Sequence, residues 1–205
     1  MMCGVLAGLA LGFPAQAAFN PLSGPILAAP AVAPNVVMLF DNSSSMVLNR
    51  VGSETRLTVA RDVAKQLIRN NRQVRFGLFG YRDPVTVPGG LDAPGGEMLV
   101  EVGDIAPGSL AGDARFNALL SSLDAVSPSA TAPYTYTPLA ESYYEITRYM
   151  RGLRAFYPQS VAQAQRLQFV SPVQYRCQRK YGLVITDGLP TYDNQFPTQV
   201  GDDPD

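Results

Sequence analysis

Histidine and tryptophan are both missing from this 205-residue chain. Without histidine, Ser–His catalysis and His-ligated zinc are excluded within the chain. Ligation of hard cations by oxygen is untouched by that loss. Basic charge is not in excess either: 16 Lys and Arg stand against 17 Asp and Glu, a formal net charge of −1. The cationic footprint of a nucleic-acid binder is therefore lacking. Cysteine is scarce, with Cys3 and Cys177 alone. What the chain does have is a hydrophobic content of 46%, enough for a packed core, and a length that fits one domain with tails.

The N-terminus reads as an export signal over residues 1–17. Residues 3–13 are small and aliphatic, and Ala15-Gln16-Ala17 is a small-x-small cleavage site, with cleavage expected before Ala18. No Lys or Arg precedes the apolar run, which is too short to span a bilayer. The chain is therefore expected to be exported from the cytoplasm. Cys3 is lost with the signal, so Cys177 is left as a single thiol in an oxidising compartment. Residues 18–34, rich in Ala and Pro, form a linker. A folded domain spans 35–194, and 195–205 is an acidic tail.

Within the domain, residues 36–40 (V-V-M-L-F) are a continuous apolar run, as in a strand buried on both faces. Ser53 is placed to cap a helix, with Glu54 at its positive end. Leu57, Ala60, Val63, Ala64, Leu67 and Ile68 then recur at helical spacing up to Asn70-Asn71. Residues 74–81 read as a second strand, which completes a βαβ unit and implies a parallel sheet. Residues 83–96 read as loop, 98–102 as a short edge strand. Phe116, Leu119, Leu120 and Leu123 mark a helix with Asp113 near its start. Thr137-Pro138 suits a helix start, and Leu139, Tyr143, Ile146, Met150 and Leu153 line its expected inner face. Residues 155–175 fit no single pattern. Residues 181–186 are a third core strand ending at Asp187-Gly188, and little fixed structure is expected after Pro190. The fold class is α/β: a central, mostly parallel sheet flanked by helices, Rossmann-like.

Oxygen-bearing side chains collect where this topology places ligands, outside the carboxyl ends of parallel strands. Asp41, Ser43 and Ser45 follow the first strand, Thr137 precedes a helix, and Asp187 ends another strand. Two carboxylates and three hydroxyls, completed by water or a partner's carboxylate, suit a six-coordinate hard cation.

Asp41-x-Ser43-x-Ser45, Thr137 and Asp187-Gly188, in that order, resemble the metal-ion-dependent adhesion site of von Willebrand factor A domains. The flanks narrow the resemblance. Pro34-Asn35-Val36-Val37, Thr137-Pro138-Leu139-Ala140-Glu141, Ser171-Pro172-Val173-Gln174-Tyr175-x-Cys177-Gln178 and Ile185-Thr186-Asp187-Gly188-x-Pro190-Thr191 resemble the N-terminal part of the PilY family, exported proteins associated with type IV pili. The match runs from residue 34 to about 194. The resemblance implies direct ligation by Ser43 and Ser45, ligation by Thr137 directly or through water, and Asp41 and Asp187 often acting through water. It implies Mg²⁺, with Mn²⁺ or Ca²⁺ as alternatives. Its implied partners are pilus components and a protein or surface ligand presenting a carboxylate. Non-enzymatic roles in pilus biogenesis, adhesion and surface sensing go with it. One departure is Ser44, where glycine is common and a left-handed turn would be strained for serine. A complete A domain continues past the Asp-Gly segment, so the resemblance implies a domain truncated at its C-terminus, with the disulfide partner of Cys177 beyond residue 205. Two other functions stay open on the residues alone. One is a hydrolase using metal-bound water, with Glu141 the nearest carboxylate in sequence. The other is a scaffold whose metal only staples loops.

Overall fold

The computed structural model describes residues 32–82, 85–87, 90–92, 95–105, 113–128, 136–157 and 161–193. The expected signal peptide, all but the end of the linker, and the acidic tail lie outside the described residues. In chain order the elements are β1 (Asn35–Phe40), α1 (Ser45–Leu48), β2 (Arg50–Val51), β3 (Glu54–Thr55), α2 (Arg56–Asn70) and β4 (Arg75–Tyr81). There follow β5 (Val85–Val87), β6 (Gly90–Asp92), β7 (Gly96–Gly103), α3 (Ala114–Ala125), α4 (Leu139–Arg151) and β8 (Lys180–Ile185).

Four strands form one sheet in the order β7-β4-β1-β8. Both β4 and β8 run parallel to β1, and β7 is antiparallel to β4 at one edge. This is the mixed α/β, mostly parallel architecture expected from the sequence. Strand β1 lies inside the sheet, and its alternate side chains serve two cores. Met38 and Phe40 pack with Leu57, Ile68 and Leu119, from the side of α2 and α3. Val37 and Leu39 pack with Ile146 and Tyr149 of α4 and with Phe169. All four β1 side chains are fully buried, at about 1.5–3 kcal/mol each, which is why the strand reads as an unbroken apolar run.

Strand β7 passes so close to β4 that no side chain fits between them at Gly77. A Cβ there would lie 2.7 Å from Val102 Cγ2 and 2.9 Å from the Val102 backbone nitrogen. Gly77→Ala is therefore expected to lower stability by about 3 kcal/mol, since backbone cannot yield as a side chain does. Urea unfolding checks this; an unchanged midpoint would contradict it.

Several local expectations are corrected. Ser53 and Glu54 do not start α2. Gly52, at φ 63°, turns the chain into the β2–β3 hairpin, which uses both residues. The cap is Thr55, whose Oγ1 accepts from the Thr58 N–H at 3.1 Å. Residues 83–96 are not all loop: they hold the β5–β6 hairpin and the start of β7. Asp113 does cap α3, accepting from the Phe116 N–H at 2.6 Å.

Helix α4 is rotated from its expected orientation. Ile146 is buried, but Tyr143 is 43% exposed, while Glu141, Ser142, Glu145 and Arg148 are buried. Polar residues take the inner face because the chain after α4 folds back and offers them backbone partners. Glu145 accepts from the Phe156 and Tyr157 N–H groups, each at 2.9 Å, and Arg148 Nε donates to the Arg154 carbonyl at 2.7 Å. The described residues of the ambiguous region 155–175 are mostly irregular, with a 3₁₀ turn at Gln163–Gln165 and a bridge from Gln168 to Arg154. Among the described residues no helix is long and apolar enough to cross a membrane.

Candidate metal centre

Asp41 is the first residue past β1, and its N–H donates to the Ile185 carbonyl at 2.9 Å. Its carboxylate is completely buried. One oxygen accepts from the Ser43 N–H at 2.7 Å; the other accepts from Thr186 Oγ1 at 2.6 Å. The first bond bends the chain into an Asx turn, which brings Ser43 and Ser45 to one side. Asn42 pins the loop to β4: its Nδ2 donates to the Tyr81 carbonyl at 3.0 Å and its Oδ1 accepts from the Tyr81 N–H at 2.8 Å. Ser44 sits at φ −62°, ψ −29°, ordinary right-handed backbone, so the turn expected to need glycine does not strain serine.

The hydroxyls and the second carboxylate then line up. Ser43 Oγ and Ser45 Oγ are 2.9 Å apart, and Ser45 Oγ donates to Asp187 Oδ1 at 2.8 Å. Ser43, Ser45, Thr137 and Asp187 line one cavity of about 580 Å³, together with Arg56 and Tyr136. Asp41 does not line it but buttresses Ser43 from below. The structure therefore brings four of the five expected residues to a common space and the fifth into hydrogen-bond contact with one of them.

These spacings fit a hard divalent cation. Ligands at Mg²⁺ distances of 2.0–2.1 Å in an octahedron are separated along each edge by about 2.9 Å. The Ser43–Ser45 and Ser45–Asp187 separations are hydrogen-bond distances that also lie within the reach of one such coordination shell. Among the described residues no cluster of three or more His, Cys, Asp or Glu occurs, and this oxygen set draws on only two carboxylates. Behind it, the buried Tyr81 hydroxyl lies within hydrogen-bond reach of Thr186; burial, reinforced by the Asp41 charge, pushes its pKa up, and the Thr186 contact opposes that shift.

Thr137 is placed differently from expectation. It does not cap α4. Its carbonyl accepts from the Thr191 N–H at 3.0 Å, and its own N–H donates to Thr191 Oγ1 at 2.9 Å. The cap is supplied by Asp193, whose carboxylate accepts from the Ala140 N–H at 2.7 Å and the Glu141 N–H at 3.0 Å. The expectation of little fixed structure after Pro190 thus fails at Thr191 and Asp193. The Tyr136 and Tyr192 rings close over this corner with centroids 3.9 Å apart. Asp193→Ala removes the cap, an expected cost of about 1 kcal/mol, and loosens the strap that positions Thr137. Thermal melting together with a cation titration checks both effects; wild-type values in both would contradict the strap.

Sequence reading missed Thr186, Asp193 and Arg56. Arg56, off the apolar stripe of α2, has its Nη1 2.6 Å from Asp187 Oδ2. A cation on the first residue of a helix, at the wrong end of its dipole, was the available signal. Cys177 is exposed and free. No family model, no curated protein and no solved structure matches this chain.

Proposed function

We propose that this chain is a metal-dependent binding module of the von Willebrand factor A type, from an exported, pilus-associated protein of PilY character. The observation that carries the reading is the convergence of Ser43, Ser45 and Asp187 in one hydrogen-bonded oxygen row that lines a cavity with Thr137, above buried Asp41. Ser43, Ser45, Thr137 and Asp187 would hold the cation, Mg²⁺ or alternatively Mn²⁺ or Ca²⁺. When bound, it supplies a positive centre with an exchangeable position that a partner's carboxylate can fill. The chain's own contribution is to fix the oxygens in place. Asp41 orients Ser43, Asn42 ties the loop to β4, and Asp193 and Thr191 hold Thr137. The open cavity leaves room for an acidic side chain from a protein or surface ligand.

Hydrolysis is less well supported. Glu141, the carboxylate nearest Thr137 in sequence, is fully buried and does not line the cavity, so no general base stands ready there. For cells displaying the full chain, chelation by EDTA is expected to abolish attachment, and added Mg²⁺ to restore it. Attachment that persists in EDTA would refute the binding role. Purified chain whose melting temperature alone responds to metal would point to the loop-stapling scaffold instead.

A further inference from the structure

We propose that Arg56 is a built-in competitor of the divalent cation: its guanidinium holds Asp187 in the metal-free chain and releases it when the cation enters. The proposal rests on the metal-centre reading above. Asp187 has both oxygens engaged, Oδ1 by Ser45 at 2.8 Å and Oδ2 by Arg56 at 2.6 Å. Its side chain is 8% exposed, against 38% for Arg56. A guanidinium has five donors and no acceptor, so it cannot join a coordination shell; it can only occupy the place of a cation. Placed against a metal ligand in a half-enclosed cavity, it opposes a second positive charge.

The placement of Arg56 supports a role tied to Asp187. It is the first residue of α2, where the helix dipole disfavours a cation, and the first turn of α2 contains no acid to offset it. Its backbone N–H donates to the Asn49 carbonyl at 3.1 Å, which fastens it to the segment leaving α1, the helix that begins at Ser45. Arginine and ligand loop are thus one mechanical unit. The partial exposure of Arg56 gives the guanidinium a route outward into water once Asp187 is taken. Local propensity is violated at a position where the site gains charge neutralisation, as happens at functional sites.

The test is Mn²⁺ binding to the full chain, read by electron paramagnetic resonance of free Mn²⁺, for wild type, Arg56→Gln and Arg56→Lys. Arg56→Gln is expected to bind Mn²⁺ about tenfold more tightly, because one competing charge is gone. Its metal-free melting temperature is expected to fall, and its Mn²⁺-loaded melting temperature to match wild type. Arg56→Lys, which keeps the charge, is expected to stay within about threefold of wild type. Equal or weaker Mn²⁺ binding by Arg56→Gln, with wild type binding normally, overturns the competitor and leaves the metal centre standing. Tightening in Arg56→Lys as large as in Arg56→Gln also overturns it, since charge would not be the cause. Absence of Mn²⁺ binding in all three chains overturns the metal centre itself and this inference with it.

Discussion

Asp41→Ala is expected to weaken divalent-cation binding by about 100-fold and to abolish cation-dependent attachment. The residue is fully buried and has no exposed surface through which to act directly. Its effect passes through Ser43, whose N–H it accepts, and through Thr186, whose hydroxyl it accepts. Alanine orphans the buried Ser43 N–H, while the exposed Thr186 hydroxyl can turn to water, so stability also falls, by about 2 kcal/mol. Asp41→Asn separates the two effects. Its amide oxygen can still accept from Ser43, so the fold is expected to stand, while the negative charge that complements the cation is gone. Melting temperature and Mg²⁺ affinity measured on both variants check this. Asparagine with wild-type Mg²⁺ affinity would show that the Asp41 charge plays no part.

Glu145→Ala is expected to be the most destabilising single change among the α4 residues, costing about 3–5 kcal/mol. Its two carboxylate oxygens take the Phe156 and Tyr157 N–H groups, and Arg82 and Arg148 lie within electrostatic reach. Alanine leaves two buried donors and excess positive charge. Against a total stability of 5–15 kcal/mol, that is a large fraction. Burial pushes the Glu145 carboxyl above the ordinary glutamate value, although the two N–H donors and the arginines pull the other way. The folded chain therefore holds this proton more tightly than the unfolded chain. The proton-linked part of the Glu145 contribution is fully present below the unfolded value and is lost as pH rises through the raised folded value, while its hydrogen bonds to Phe156 and Tyr157 remain. Urea unfolding across that range is expected to show this decline in wild type and not in Glu145→Gln. An identical slope in the two chains would contradict the assignment.

Both predictions turn on features that differ in how visible they are before folding. The strand that delivers Asp41 is legible because burial on both faces demands an unbroken apolar run, and Val37 to Phe40 supply it. Asp113 is legible as a cap because it acts on its own helix three residues on. Glu145 is not, because its partners lie 11 and 12 residues away in a segment with no periodicity. A polar residue on an inner face looks like a solvent-facing one until the returning chain is known. The same holds at the site. Asp41, Ser43 and Ser45 are close in sequence, and Asp187 ends a recognisable strand. The strap from Asp193 to α4 spans 52 residues and the Arg56–Asp187 pair spans 131, so no local pattern names the partner of either, although the misplaced charge of Arg56 at the start of α2 marks it out. The β2–β3 hairpin was hidden for another reason: a glycine turn took Ser53 and Glu54, which alone make a credible helix start.

The central claim is that Ser43, Ser45, Thr137 and Asp187, braced by Asp41, form one site for a hard divalent cation. Isothermal titration of MgCl₂ into the full chain tests it most directly, with Asp187→Ala run alongside. The expected result is a single saturable site in wild type that disappears in Asp187→Ala. No saturable heat in wild type, or the same isotherm in both chains, would contradict it.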